Sequence, residues 1–454
     1  MDSGKTLDVQ TFLNEQRFSG YQWLIFGQCF LVVLLDGFDT AAIGYIAPSL
    51  VHEWGIGRPA LGPVLSAAIF GLIAGALVIG PLADRIGRKR LLVASVLVFA
   101  LGCLASSFSA DLTELTLWRF ITGIGLGAAM PNAVTMMSEY CPDRRRATLT
   151  NMMFCGFPLG AALGGFLAAW MIPQWGWRSV LVLGGVTPLA LGILMLFSLP
   201  ESVRFMVGRG YPAERVRAVL ARISTAAASA SAFVSTEIKR ASDGKGGVAL
   251  VLSRSYFVGS VMLWIAYFMG LVIFYGLINW MPILFKDAGV EARTATLISA
   301  LFPLGGTGAL LFGWLMDRFN GNYIVATGFA LTAVAVFAIG QVVGSVGLLI
   351  ATVFIAGVAM NTAQSSLPAL AASFYPTRGR GTGVAWMMGI GRFGGIVGSF
   401  LVSELTQRQL GFAAIFTIVA LAGAIAAVAL LAKQFGHPES APVRGAVRDQ
   451  VLGH

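Results

Sequence analysis

The charges of this chain are confined to short intervals between long apolar stretches, and that spacing constrains the fold more than any other feature. A helix needs about 20 apolar residues to cross the hydrocarbon core of a bilayer. Stretches of that order lie at 22–49, 60–82, 90–109, 113–137, 148–171, 178–199, 255–284, 292–315, 322–343, 346–372, 381–403 and 411–433. Charged residues make up only 11% of the 454, against about 25% in an average soluble domain. They are too few to cover a soluble fold of this size, and a lipid surround removes the deficit. In lipid only helices and closed barrels satisfy their own backbone, so the expectation is an all-α membrane protein with twelve transmembrane helices. The 56 glycines suit a bundle in which helix backbones approach closely.

An internal repeat divides the spans into two sets of six. Gly80-Pro-Leu-Ala-Asp84-Arg85 recurs as Gly313-Trp-Leu-Met-Asp317-Arg318, and Pro142-Asp-Arg144-Arg-Arg146-Ala-Thr148 recurs as Pro376-Thr-Arg378-Gly-Arg380-Gly-Thr382. Ala47-Pro48-Ser-Leu50 recurs as Met281-Pro282-Ile-Leu284, and all three offsets are 233 or 234 positions. The expected organisation is a tail (1–20), a six-helix bundle (21–199), a linker (200–254) with a helix near Glu214–Arg222, a second, pseudo-symmetric bundle (255–433) and a second tail (434–454). Parallel halves with a site between them at the midplane are a transporter architecture. Orientation follows from Lys and Arg. With both termini inside, 24 of the 31 fall in inside segments and 5 outside, leaving Arg119 and Arg392 within spans. Both tails and the linker are therefore expected to be cytoplasmic, and the chain to sit in a bacterial inner membrane.

Other classes find no support. The net charge of +10 is dispersed in loops and forms no basic face with interleaved aromatics, so no nucleic-acid partner is expected. Cys29, Cys103, Cys141 and Cys155 have neither metal spacing nor a disulfide pattern. The first 20 residues are polar, and the apolar run after them is too long for a cleaved signal. Without a Walker loop, metal cluster or nucleophile elbow, neither enzyme activity nor a cofactor is expected.

Four intramembrane charges remain, and such charges are rare and costly. Asp36 and Asp39 are three apart on the first span and share a helix face. They are candidates for a proton acceptor and a gating or substrate-orienting partner; the alternative is one structural carboxylate. Arg119 lies about one and a half turns from its span's outer end. It either snorkels, pairs with Asp36 or Asp39, or meets a substrate carboxylate. Arg392 is mid-span, flanked by glycines, with no acid at its depth in the second half. It is a candidate to bind a carboxylate from solution through a bidentate fork; the alternative is a bond network to backbone carbonyls. Aromatic and amide residues near the midplane are candidate pocket lining for the substrate: Phe38, Tyr45, Tyr267, Phe274, Tyr275, Asn279, Asn361, Gln364 and Trp386.

The string Gly80-Pro-Leu-Ala-Asp84-Arg85-Ile-Gly87-Arg88-Lys89-Arg90 resembles the signature loop of the major facilitator superfamily. Asp36-Gly-Phe-Asp39-Thr-Ala-Ala-Ile-Gly44-Tyr-Ile-Ala-Pro48 resembles its aromatic acid:proton symporter family. Leu7-Asp-Val-Gln-Thr-Phe12, Ala363-Gln364-Ser-Ser-Leu-Pro368, Phe374-Tyr375-Pro376-Thr-Arg378-Gly-Arg380 and Gly389-Ile-Gly391-Arg392-Phe393-Gly394 are similar to the 4-hydroxybenzoate/protocatechuate branch. One departure is the loop Asp317-Arg318-Phe319-Asn320-Gly321-Asn322, which lacks the histidine expected near its end. The resemblance implies a major facilitator fold and a monomer that imports a small aromatic carboxylate with protons. It also implies a coupling role for Arg119 and gate latches at Asp84, Arg85 and Arg88, with Glu139 as partner of Arg88 or Arg146. Asp317, Arg318, Arg378 and Arg380 occupy the repeated latch positions. The competing expectations are a carrier of another organic anion such as benzoate or gentisate, a drug or polyol carrier, and, from a different class, a membrane receptor for aromatic acids. The charges break the repeat, since Asp36 aligns with Gly270 and Arg392 with Pro158. The N-terminal half is therefore expected to handle the proton and Arg392 the anion.

Overall fold

A computed structural model describes residues 5–234, 247–308, 315–316, 318–375 and 377–436, without the side chains of 5, 77–85, 143–144, 146–148, 151, 229, 247–248, 307–308, 377–382 and 436 among them. The chain forms two compact units, up to 245 and from 246. Among the described residues, eleven helices are long and apolar enough to cross a membrane, and Ala292–Leu304 is a shorter apolar helix where the eighth span, 292–315, is expected. Residues 309–314 of that span lie outside the described residues.

In the first unit the helices are α1 (Val9–Glu15), α2 (Gly20–Trp54), α3 (Leu61–Ile86), α4 (Arg88–Ser107), α5 (Leu112–Tyr140), α6 (Asp143–Phe154), α7 (Gly156–Trp175) and α8 (Arg178–Ser198), followed by short α9 (Val203–Gly208) and α10 (Ala213–Leu220). The second unit contains α11 (Gly247–Val251), α12 (Phe257–Asp287), α13 (Ala292–Leu304), α14 (Gly321–Gln341), α15 (Val346–Phe374), α16 (Thr377–Gln407) and α17 (Phe412–Gly436). A shift of 234 carries the bounds of α5 onto those of α15. The same shift carries the starts of α6 and α8 onto those of α16 and α17. Packing repeats as well. Contacts of α3 with α5, α4 with α5, α2 with α7 and α4 with α8 recur as α13 with α15, α14 with α15, α12 with α16 and α14 with α17. The halves differ where Cys155 separates α6 from α7, while α16 runs unbroken.

Backbone approach holds these pairs together. Lipid tails are as apolar as the side chains, so close packing replaces the hydrophobic effect as the force between helices. Gly123 of α5 presses on the Ala68 carbonyl of α3, and its repeat Gly357 presses on the Phe302 carbonyl of α13. Gly160 of α7 meets the Leu34 carbonyl of α2, and its repeat Gly394 meets the Phe268 carbonyl of α12. A Cβ at any of the four would collide with backbone.

One end of the first unit carries a cap that breaks the all-α expectation. Strand β1 (Lys5–Asp8) pairs in parallel with β2 (Ala230–Val234), placing Leu7 opposite Phe233. Apolar periodicity gave no sign of β2 because its text is short and rich in alanine and serine. Val9, Phe12 and Leu13 of α1 join Val203, Met206, Val216 and Leu220 of α9 and α10 in one core with α2, α4 and α5. Polar bonds fasten the same end: Gln22 Nε2 donates to the Tyr140 carbonyl (2.7 Å) and Gln10 Nε2 to the Cys141 carbonyl (3.3 Å). Thus 203–233, expected within a linker, pack on the first unit, whereas α11 packs on α16 of the second.

Gly123→Ala is expected to lower stability by roughly 1–3 kcal/mol, the usual cost of overpacking. Gly347→Ala, where a Cβ meets open space, leaves it unchanged. Thermal unfolding of the detergent-solubilised proteins compares the two.

Candidate functional site

Asp39 and Arg119 form a buried fork at the heart of the first unit. Arg119 Nη1 donates to Asp39 Oδ1 (2.7 Å) and Nη2 to Oδ2 (2.9 Å). Nη2 also lies 3.2 Å from the Asp39 carbonyl oxygen. Both side chains are fully buried. Two parallel charge-assisted bonds are the strongest way to hold a carboxylate, and a guanidinium this deep needs one. Arg119 therefore does not snorkel. Cys103 of α4 adds a third donor, its Sγ lying 3.2 Å from Asp39 Oδ1 and 3.4 Å from the Leu181 carbonyl oxygen of α8.

Asp36, three residues earlier on the same face, is buried without joining that fork. Its Oδ1 accepts from Thr40 Oγ1 at 3.4 Å. Phe38 and Tyr45, expected as pocket lining, are buried against α7 and α8. The Phe38 ring fills the space over Gly164 and Gly184 of α7 and α8, and the Tyr45 hydroxyl donates to the Ala161 carbonyl at 3.1 Å. Small residues on α7 and α8 leave room that these rings take up as packing.

In the second unit the fork has no counterpart. The repeat of Asp39 is Ile273 and that of Arg119 is Val353, both fully buried. Arg392 of α16 is half-buried. Among the described residues no carboxylate pairs with it and it makes no hydrogen bond. Its charge reaches Tyr267 of α12, whose ring packs against Gly391. Gln364 Nε2 donates to the Tyr267 carbonyl (3.3 Å), and its buried Oε1 lies against Gly270, the repeat of Asp36. Arg392, Tyr267 and Gln364 thus form a polar patch on α12, α15 and α16. Tyr275 packs on Gly395 of α16, and Trp386 is exposed beside Trp264.

Asn361 and Asn279 serve as interhelical clamps. Asn361 Nδ2 donates to the Phe302 and Gly357 carbonyls (2.9 and 2.8 Å), and Asn279 Nδ2 donates to Ser399 Oγ (3.0 Å). Both tie neighbouring helices inside the unit, because a helix pair in lipid needs its own polar ties.

At the latch end, Arg88 Nε lies 3.7 Å from Glu139 Oε1, and the guanidinium sits 5.7 Å from the Phe205 ring centre. The carboxylate holding the N-terminus of α4 is Glu201, which sequence reasoning missed. Its Oε1 accepts from the backbone of Arg88 (2.8 Å), Lys89 (3.0 Å) and Ser202 (2.9 Å). An anion is favoured where helix N–H groups lack partners. Ser202 Oγ in turn donates to Glu139 Oε2 and caps α9 through Phe205 N–H. The signal for Glu201 was an acid directly after the proline that ends a span. Arg318 is exposed. Asp84, Arg85, Asp317, Arg378 and Arg380 have side chains outside the described residues. Lys433, placed by its sequence near the tail, is fully buried. Its Nζ donates to Asn322 Oδ1 (2.8 Å) and lies 4.5 Å from the Phe374 ring centre.

Two repeated helical units with a buried ion pair in one and a half-buried arginine in the other define a polytopic membrane protein of the two-bundle class. The chain belongs to the Major Facilitator Superfamily, whose family model matches residues 29–321 and 263–451. It is 48% identical to the 4-hydroxybenzoate transporter PcaK of Pseudomonas aeruginosa over 94% of this chain and 96% of that one. It is 44% identical to the gallate transporter of Pseudomonas putida over 95% of each. Among solved structures, the partially occluded inward-open xylose transporter XylE of E. coli superposes with a TM-score of 0.72 at 20% identity, over 93% of this chain and all of that one. That likeness establishes the fold. These relatives are transporters, not enzymes.

Arg119→Gln leaves Asp39 buried and unpaired and is expected to cost roughly 3–5 kcal/mol. The double variant Asp39→Asn/Arg119→Gln recovers most of that loss. Thermal unfolding of the wild type, both single variants and the double variant measures the coupling.

Proposed function

We propose that this protein is a proton-coupled symporter that imports aromatic carboxylates, hydroxybenzoates such as 4-hydroxybenzoate or protocatechuate among them, by alternating access. The observation that carries this reading is the contrast between the two intramembrane arginines. Arg119 is already neutralised by Asp39, whereas Arg392 has no carboxylate among the described residues. A half-buried guanidinium of that kind is a ready fork for a carboxylate from solution. The 4-hydroxybenzoate and gallate transporters, alike to this chain along nearly its whole length, support an aromatic ring on that carboxylate. The distribution of Lys and Arg supports an inner-membrane setting with both termini cytoplasmic.

In this mechanism Asp39 takes the proton. Protonation removes the negative partner of Arg119 and leaves a buried positive charge, a state that an incoming anion offsets. Proton and anion are thereby linked through charge rather than contact. Asp36, held by Thr40 on the same helix face, is available for a second proton. One proton with one monoanion moves no net charge, so the pH gradient alone drives uptake. Each further proton would add about 2.3 kcal/mol per 100 mV of membrane potential.

In proteoliposomes, an inward pH gradient is expected to drive 4-hydroxybenzoate accumulation and an imposed potential alone is not. Asp39→Asn abolishes accumulation while leaving exchange of substrate across the membrane. Arg392→Lys, which loses the planar fork, weakens binding about tenfold or more. Competition by benzoate, gallate and a polyol sorts the substrate class, and uptake of the polyol instead of the acids would overturn the reading.

A further inference from the structure

The Asp39–Arg119 fork has a third member whose geometry the transport reading does not use. Cys103 is fully buried on α4, and its thiol carries a single proton. Two acceptors lie within its reach: Asp39 Oδ1 at 3.2 Å and the Leu181 carbonyl oxygen of α8 at 3.4 Å. One donor between two acceptors of different charge is a two-position rotor, because a thiol turns about its Cβ–Sγ bond at little cost. An ionised carboxylate wins the proton, since bonds to charged acceptors are roughly twice as strong as neutral ones. Once the carboxyl is neutral that advantage is gone, and the carbonyl, with a lone pair beyond its helix bond, becomes the competing partner.

We propose that Cys103 is a positioning residue for Asp39: its thiol donates to the carboxylate while that group is ionised and turns to the Leu181 carbonyl when the carboxylate takes a proton. The thiol proton never leaves sulfur. The thiol stays bonded in both states, and Arg119 Nη2 keeps the Asp39 main-chain carbonyl at 3.2 Å when its side-chain partner is neutralised. The carboxylate therefore gains and loses a proton without stranding the buried thiol, and an unsatisfied polar group in lipid is costly.

The surroundings of Asp39 leave this role to few side chains. Arg119 faces it from α5 and Cys103 from α4. On its own helix Asp36 is one turn away. Helix α7 has no titratable residue, and α8 has only Arg178, which Glu53 holds at 2.5 Å. The repeat underlines the assignment. Asp39, Arg119 and Cys103 align with Ile273, Val353 and Phe337. The thiol and the ion pair are present together in one unit and absent together from the other.

The proposal rests on Asp39 as the proton carrier, and its test separates the two. The S–H stretching band of Cys103 is isolated in the infrared by subtracting the spectrum of Cys103→Ala from that of the parent protein in liposomes. It is expected at the frequency of a strongly hydrogen-bonded thiol and is expected to move in Asp39→Asn, where a neutral amide stands in for the protonated carboxyl. A band that Asp39→Asn does not move overturns the proposal. Proton-driven 4-hydroxybenzoate uptake gives the second readout. Cys103→Ser keeps a donor and retains uptake within about twofold, and Cys103→Ala loses about tenfold, the worth of one bond to a charged group. Equal loss in both variants, or no loss in either, also overturns it. A band that responds to Asp39→Asn in a protein whose uptake ignores the pH gradient would sink the symport reading and leave the positioning role standing.

Discussion

Hydrocarbon offers no hydrogen bonds, and this constraint governs every level of the molecule. Backbone groups must be satisfied within helices, so apolar stretches of about 20 residues leave one choice of secondary structure. Helices in lipid cannot be pressed together by water, so they adhere through surface contact. Glycines such as Gly123 and Gly160 supply it, and their repeats Gly357 and Gly394 make the same carbonyl contacts in the second unit. Charges obey the same rule. Arg119 and Asp39 are tolerable at depth because each satisfies the other through two short bonds.

The two units are copies in architecture and opposites in chemistry. Several helix starts and the main packing pairs repeat at one offset, yet Ile273 and Val353 replace the ion pair. The fold therefore does not require the charges. A buried pair costs desolvation that well-packed apolar residues avoid, and the second unit shows that such a replacement packs. Retaining the pair in one unit alone is an expense that the proposed proton handling accounts for, and the half-buried Arg392 of the other suits the proposed anion. The cap joins β1 of the tail to β2 and draws α9 and α10 onto the first unit. Much of what lies between the bundles in sequence is thereby part of one of them.

Legibility differed by residue. Asp36, Asp39, Arg119 and Arg392 stood out because an ionisable group in an apolar span is conspicuous whatever its neighbours. The packing of Phe38 and Tyr45 was not legible, because an aromatic residue near the midplane looks the same whether it faces a ligand or fills space over Gly164. The ties that Asn361 and Asn279 make between helices were not legible either, because their partners lie on other helices. Glu201 was overlooked because its partners are backbone N–H groups at the start of another helix. Lys433 looked like a tail residue because its acceptor, Asn322, is 111 positions away.

What the sequence determined by itself was the solvent, the helical class, the repeat and the identity of the rare charges. Each follows from local composition or from comparing the chain with itself. Only the tertiary structure decided that Arg119 pairs with Asp39 rather than reaching the membrane surface. It also decided that Cys103 completes that pair and that the tail pairs with a strand near 230. These are contacts between residues 64 to about 225 positions apart, and no local pattern encodes which of several compatible partners a buried donor meets. Packing selects the partner, because a charge without water has to be satisfied by whichever group the neighbouring helices bring within 3 Å.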